Sequence, residues 1–119
     1  MPHPLDTWEQ RRSRPVRFNY PEGAGRSYKL VDEVAVEASY KDIGEYVFLL
    51  QFLKGGGPVK EIRAAYYRKG PGKPRWHFAG QYSLTAERKD WIRLLAKALK
   101  TDWFQSVIQE AQALAEKSD

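Results

Sequence analysis

The sequence predicts an α+β fold in which a four-stranded antiparallel β-meander is followed by a C-terminal helix and a second helical segment. Three observations predict it: the middle of the chain holds four strand-like stretches, short loops separate them, and the last third repeats apolar residues with a helical period. Sequential strands joined by short loops favour a meander. With 119 residues, the chain suffices for one core but not for two full-sized domains.

Residues 1–27 are expected to form an extended arm, and residues 28–119 a single sheet-and-helix domain. The arm is rich in Pro and contains a cluster of arginines, Arg11, Arg12, Arg14 and Arg17. Proline disfavours regular structure, so we expect at most one helical turn, near Trp8.

Two strands are predicted in the first half of the domain. From Tyr28 to Tyr40, apolar and polar residues alternate, which is typical of a strand with one buried face. After a turn that contains Gly44, the stretch from Tyr46 to Leu53 is largely apolar on both faces. Such a strand needs cover on both sides of the sheet.

Two further strands flank a loop rich in Gly and Pro. Val59 to Arg68 is predicted as the third strand and Arg75 to Leu84 as the fourth. The aromatic residues of the fourth strand are interpreted as core residues beneath the helix: Trp76, Phe78 and Tyr82.

Two helical segments follow. Thr85 is a suitable N-cap for the first, which carries a wide apolar face and a basic stripe. Asp102 begins the second, which either continues the first helix after a bend near Thr101 or forms a separate arm that packs on a partner.

Charge is concentrated in one part of the chain. Residues 54–100 hold twelve Lys and Arg against three acidic residues, a net charge of +9, whereas the whole chain carries +5. Such a segment is a candidate surface for a polyanion. The alternative is that these cations only keep a helix and several loops in solution.

The sequence offers no candidate residues for catalysis or for a metal site. The chain has no Cys, and its two histidines, His3 and His77, belong to no ligand-like cluster. No phosphate-binding glycine motif precedes a helix. We therefore expect no enzyme activity, no cofactor, no metal and no small-molecule substrate.

No secretory signal or membrane-spanning stretch is visible either, so we expect a cytoplasmic protein, nucleoid-associated or nuclear in a suitable host.

Aromatic and basic residues are interleaved between Tyr66 and Trp91. Tyr66-Tyr67-Arg68-Lys69 is followed by Lys73-Pro74-Arg75-Trp76 across two predicted neighbouring strands. Proteins that bind single strands use this combination because bases stack on rings while cations follow the phosphates. Arg63, Tyr66 and Tyr67 are the preferred contact residues, with Arg68 beside them.

A family resemblance rests on short motifs between Tyr46 and about Lys100. They are Tyr46-Val47 leading to Phe52, Lys54-Gly55, Glu61-Ile62-Arg63 followed by Tyr66 and Tyr67, Lys73-Pro74, and Ser83-Leu84-Thr85 before a helix that contains Trp91. In these positions the chain resembles the transcriptional coactivator family called positive cofactor four, whose core is four antiparallel strands followed by a helix. The wider group, with Whirly and Pur proteins, commonly forms dimers or higher oligomers.

The resemblance implies that six residues contact single-stranded DNA: Phe52, Lys54, Arg63, Tyr66, Lys73 and Arg75. Arg63 and Tyr66 would point to opposite faces of a regular strand, so either a bulge intervenes or Tyr67 takes the stacking role. The strand at 28–40 and the helical segment after Thr101 depart from the family pattern.

The leading hypothesis is a homodimer that binds single-stranded DNA with weak sequence preference, in transcription, replication or repair. RNA is an open alternative, because stacking and phosphate contacts neither require nor forbid a 2′-hydroxyl. The competing hypothesis is a protein-interaction module whose basic face serves an acidic partner.

Overall fold

The computed structural model describes residues 3–12, 14–18, 26–55, 60–79 and 85–117. A 3-10 turn at Pro4–Thr7 leads into a short helix, and five strands and two longer helices follow. Their bounds are α1 Trp8–Arg11, β1 Pro15–Phe18, β2 Arg26–Tyr40, β3 Gly44–Gly55, β4 Lys60–Lys69, β5 His77–Ala79, α2 Arg88–Ala98 and α3 Asp102–Lys117.

The predicted architecture, an antiparallel meander followed by C-terminal helices, is confirmed. The sheet has the order β1-β2-β3-β4-β5, and every neighbouring pair is antiparallel. The additional strand is β1, which lies in the segment expected to be an arm and pairs with the start of β2 from Pro15↔Lys29 to Phe18↔Arg26. Pro15 is tolerated because it is the first residue of an edge strand. The predicted end of the fourth strand, residues 80–84, lies outside the described residues.

Strand β3 is covered on both sides, as its apolar sequence requires. Successive side chains of a strand point to opposite faces, and two separate clusters result. The side that carries α2 and α3, here called the helix face, holds a cluster of Val36, Phe48, Leu50, Leu94, Ala98 and Phe104. The opposite face holds Val47, Leu49 and Ala65, with Trp76 and Tyr67 packed against them.

The 3-10 turn and α1 form one segment, residues 3–12, here called the N-terminal turn, which closes one end of the sheet. Trp8 packs against a third buried cluster, which consists of Tyr28, Leu30 and Leu53. The register between β2 and β3 shifts between Leu30 and Asp32, and such a bulge re-aims the residues on either side of it.

Hydrogen bonds to β2 fix the two C-terminal helices. The Tyr40 hydroxyl donates to Asp90, whose side chain is buried at the start of α2, at 2.7 Å. The Trp103 indole donates to Asp32 at 2.9 Å. Among the described residues, strand β1 pairs only with the first residues of β2, so the rest of β2 forms an edge of the sheet. Arg93 and Lys97 reach from α2 to backbone carbonyls in this part of β2, which leaves the edge less open to pairing with another chain.

The structure corrects the predicted start of the first helix. Helix α2 begins at Arg88 with Glu87 as its N-cap residue, and Thr85 lies before the helix, outside any helix or strand. The chain then breaks at Thr101, whose hydroxyl donates to Ala98 O and accepts from Phe104 N. This capping contact separates α3 from α2. No helix among the described residues is long and apolar enough to cross a membrane.

Gly44 provides a test of the hairpin between β2 and β3. Its φ is +140°, and a Cβ atom there would lie 2.6 Å from the backbone oxygen of Lys69. Gly72 has a φ of +70°, but a Cβ atom at that position would meet nothing within 4 Å. We expect Gly72→Ala to lower the free energy of unfolding by roughly 1–2 kcal/mol, because left-handed strain is its only cost. Gly44→Ala should lower it by more, because the added Cβ atom also meets the Lys69 oxygen. Urea denaturation of both variants checks this, and equal losses would contradict it.

Candidate nucleic-acid interface

The structure divides the eight predicted contact residues between three places. The helix face holds four of them, Phe52, Lys54, Tyr66 and Arg68. The opposite face holds Arg63 and Tyr67, and the loop between β4 and β5 holds Lys73 and Arg75. The register between β3 and β4 is continuous from Glu45↔Lys69 to Lys54↔Lys60. No bulge therefore brings Tyr66 to the side of Arg63, and Tyr67 is the tyrosine that shares its face.

Contacts within the fold already engage the rings on the helix face. Phe52 stacks on Trp103 with 5.3 Å between ring centroids and 10° between ring planes. Tyr66 packs against the cluster beneath α2. Arg68 donates to the Tyr46 hydroxyl at 3.1 Å and to Ile43 O at 2.6 Å. These three side chains thus have structural roles in the described chain.

The opposite face brings rings and cations together where β4 pairs with β5. We call this set the β4–β5 strip; its members are Arg63, Tyr67, Lys69, Trp76 and Phe78. Phe78 pairs with Tyr67 in the β4–β5 register, and their ring centroids are 4.9 Å apart. The Arg63 guanidinium lies 5.1 Å from the Phe78 ring centroid, and Lys69 Nζ lies 5.8 Å from that of Trp76. Cations and π-faces therefore alternate along one surface.

Phe78 is the exposed ring of the strip. Its side of β5 faces away from the helices, and the residue is 43% exposed. The interpretation of Trp76 and Phe78 as core residues beneath the helix is therefore wrong, while Tyr82 lies outside the described residues. The reason is the register: Phe78 opposes Tyr67, so both rings project from the face away from α2.

A buried polar network lies beside the strip on the same face. Arg11 donates two hydrogen bonds of 2.7 Å to the carboxylate of Glu33. Gln51, which is 1% exposed, donates to the same carboxylate at 3.0 Å. The Gln51 oxygen accepts from Arg63 Nε at 2.8 Å and from Nη2 at 2.6 Å. The network thus connects the N-terminal turn to Arg63 and fixes the orientation of its guanidinium.

Burial and charge set the protonation states around Tyr67. Burial raises the pKa of the Tyr67 hydroxyl; the positive charge of Arg11 opposes this rise and Glu33 adds to it. Burial lowers the pKa of Arg63, against the influence of Tyr67 and Glu33. Burial also acts to lower the pKa of Arg11, but the hydrogen bonds and charge of Glu33 outweigh it, and the pKa is raised. At neutral pH the phenol is neutral and both guanidinium groups are charged.

The N-terminal turn covers the acidic part of this face. His3 Nε2 lies 2.7 Å from a carboxylate oxygen of Glu37, and the His3 ring meets Trp76 edge-on with 5.1 Å between centroids. Together with Arg11 on Glu33, this contact places a basic or polar group on each of the two β2 carboxylates of this face, Glu33 and Glu37. The turn therefore reduces the negative field next to the strip.

Four residues of this region escape prediction from the sequence. Trp76 and Phe78 are predicted on the wrong face, and the hydrogen bonds that Arg11 and Gln51 both donate to Glu33 are not predicted at all. A signal for Gln51 exists, because it is a polar residue within an otherwise apolar strand. Among the described residues, no group of three or more His, Cys, Asp or Glu side chains is placed to hold a metal ion.

Comparisons with protein-family models, with curated proteins and with solved structures gave no match to this chain. The resemblance to the positive cofactor four family therefore stays a prediction.

Arg11 and Arg12 form a matched pair for testing the network. The Arg11 and Glu33 side chains are 15% and 5% exposed, whereas Arg12 lies 3.9 Å from Glu9 with both side chains largely in water. Removal of Arg11 strands a buried carboxylate, so we expect Arg11→Ala to lower the free energy of unfolding by about 3–5 kcal/mol. Arg12→Ala should change it by less than about 0.5 kcal/mol. Urea denaturation monitored by circular dichroism gives both values; similar losses in the two variants would refute the assigned role of Arg11.

Proposed function

We propose that this protein binds single-stranded nucleic acid, in the first place DNA, through the β4–β5 strip. The observation that carries the proposal is the exposed Phe78 ring, held between the Tyr67 ring and the Arg63 guanidinium. A base stacked on an aromatic side chain contributes about 1–3 kcal/mol with little regard to which base it is. Weak sequence preference follows from this mode of contact.

The charges near the strip support a phosphate path. Residues 60–79 carry six Lys and Arg against one Glu. Lys73 and Arg75 are exposed in the loop that leads into β5, so a strand stacked on Phe78 could place its phosphates beside them. The acidic residues of β2 on the same face, Glu33 and Glu37, already have partners in Arg11 and His3.

A single strand fits this surface better than a duplex does. Duplex readers place a helix or a two-stranded ribbon into a groove, whereas a sheet surface with exposed rings requires bases that are free to unstack. Of the basic residues on α2, Arg93 and Lys97 donate to carbonyls of β2 rather than projecting from the molecule. A preference for single strands suits a role in transcription, replication or repair, in the cytoplasm, at a nucleoid or in a nucleus.

Fluorescence anisotropy tests the proposal directly. A labelled single-stranded DNA of mixed sequence is titrated with the protein at low and moderate salt, with the matching duplex and the matching RNA as competitors. We expect binding that weakens with salt and that the duplex fails to displace. The RNA should compete, because stacking and phosphate contacts do not require a particular sugar. Absence of binding at low salt would overturn the proposal.

Phe78 and Ile62 give a matched test of the face. Both are exposed apolar residues, at 43% and 40%, but Ile62 lies on the helix face of β4. We expect Phe78→Ala to weaken binding by about 1–3 kcal/mol, or roughly five- to 150-fold in Kd. Ile62→Ala should leave Kd unchanged. The same anisotropy titration measures both, and a larger effect at Ile62 would show that the nucleic acid lies on the helix face instead.

The loop cations should determine part of the salt dependence. For single strands, the slope of log K against log salt changes by about 0.7 for each phosphate neutralised. We expect the double variant Lys73→Ala, Arg75→Ala to lower the steepness by about 0.7 for each phosphate that these side chains neutralise in the wild type. A control that removes two exposed lysines elsewhere, Lys29→Ala, Lys117→Ala, should keep the wild-type slope. Equal slopes in the two double variants would exclude the loop from the phosphate path.

A further inference from the structure

A cavity of about 670 Å³ lies beside the bulge of β2. Leu30 pairs with Leu53 and Asp32 with Phe52, so Val31 is the extra residue of the bulge. Residues of the N-terminal turn and of the junction between α2 and α3 also line the cavity. Sites for small molecules have volumes of about 300–1,000 Å³, and bulges are frequent next to active sites. The cavity is therefore a candidate site for a small molecule.

Three aromatic residues form the apolar part of the lining: Trp8, Phe52 and Trp103. Phe52 and Trp103 hold each other in place, because their rings are stacked with 10° between ring planes. Trp8 is held by its packing on the cluster that contains Tyr28 and Leu30. All three rings stay partly exposed. Aromatic side chains favour stacked or edge-on contact with other rings, so this lining suits an aromatic ligand.

The charged part of the lining is balanced. Arg12 comes from the N-terminal turn and Asp32 from β2, while Lys100 and Asp102 lie on either side of Thr101. A ligand that is only an anion or only a cation would be attracted by one pair of these groups and repelled by the other. A zwitterion avoids this conflict, because each of its charges can face a partner of opposite sign.

Asp32 and Lys100 are the charged groups best suited to hold the two ends of such a ligand. The Trp103 indole and the backbone N–H of Glu33 each donate a hydrogen bond of 2.9 Å to the Asp32 carboxylate. These bonds fix the carboxylate and leave lone pairs for a further donor. In the described part of the chain, the Lys100 side chain forms no hydrogen bond or ion pair. Its ammonium group is therefore available to an anion.

We propose that this cavity binds a free aromatic α-amino acid. The ring of the ligand lies against the three aromatic side chains, its ammonium group donates to Asp32, and its carboxylate accepts from Lys100. Both charged groups of an α-amino acid are attached to one carbon atom, and the flexible stem of a lysine supplies the reach that this requires. Arg12 and Asp102 complete the balance of charge. No local sequence pattern indicates the site, because its residues come from three separate parts of the chain.

Isothermal titration calorimetry with L-tryptophan and three analogues tests the chemical class of the ligand. N-acetyl-L-tryptophan lacks the ammonium group, L-tryptophan amide lacks the carboxylate, and L-alanine lacks the ring. We expect L-tryptophan to bind and each analogue to bind at least about tenfold more weakly, because each loses a charged hydrogen bond or the burial of a ring. Absence of binding up to the solubility limit of L-tryptophan would overturn the proposal. Equal affinity for L-tryptophan and for either of its two derivatives would also overturn it.

Two substitutions test which residue holds which end of the ligand. Lys100→Ala should weaken the binding of L-tryptophan at least about tenfold but leave the affinity for the amide unchanged, because the amide has no carboxylate to lose. Asp32→Asn keeps an oxygen that can accept from Trp103, and it should weaken the binding of L-tryptophan but not that of the N-acetyl derivative. Lys117→Ala, at the exposed end of α3, is the control and should keep the wild-type affinity.

The paired ligands separate a binding role from a structural one. A substitution that only disturbs the fold would weaken both ligands alike, so equal losses for L-tryptophan and its derivative would contradict the assigned roles. None of these outcomes depends on nucleic-acid binding, because the cavity shares no residue with the β4–β5 strip.

Discussion

Strand β3 is buried on both of its faces, and the rest of the chain supplies the cover. Phe48 and Leu50 face the helices, while Val47 and Leu49 face away from them. Each large apolar side chain that is fully buried contributes about 1.5–3 kcal/mol, so neither face can be left to water. Two helices meet this demand on one side. On the other side, the N-terminal turn and two aromatic residues, Tyr67 and Trp76, meet it, and this cover is thinner.

The face with the thinner cover also carries buried polar side chains of the sheet. Glu33 is a carboxylate beside an apolar strand, and a buried charge requires a partner. Arg11 provides that partner from the N-terminal turn, and Gln51 continues the hydrogen bonds to Arg63. The Arg63 guanidinium is thereby held beside Phe78 before any ligand arrives. A side chain that is already ordered loses less conformational entropy on binding, so the interactions that complete the fold also prepare the candidate site.

Much of the sheet could be predicted from the sequence, because alternation and glycine-rich loops are local signals. The alternation of β4 correctly separates Arg63 from Tyr66, and the two-sided apolar pattern of β3 correctly requires two layers of cover. The face of Phe78 could not be predicted in the same way, since it depends on the register that the loop of residues 70–76 sets between two strands. Strand β1 is only four residues long, Pro15–Phe18, so its alternation is too short to predict a strand, and the strand is identified by its pairing with β2. The bond between Arg11 and Glu33 joins residues 22 positions apart, which no local pattern reveals.

The face of the sheet that nucleic acid contacts decides whether the proposed function is right. Photo-crosslinking with a single-stranded oligonucleotide that contains iodouracil, followed by mass spectrometry of the crosslinked peptides, identifies the rings in contact with bases. We expect crosslinks at Phe78 and at its neighbours Tyr67 and Trp76, on the face away from the helices. Crosslinks at Phe52, Tyr66 or Trp103 instead, which belong to the helix side, would contradict the proposal.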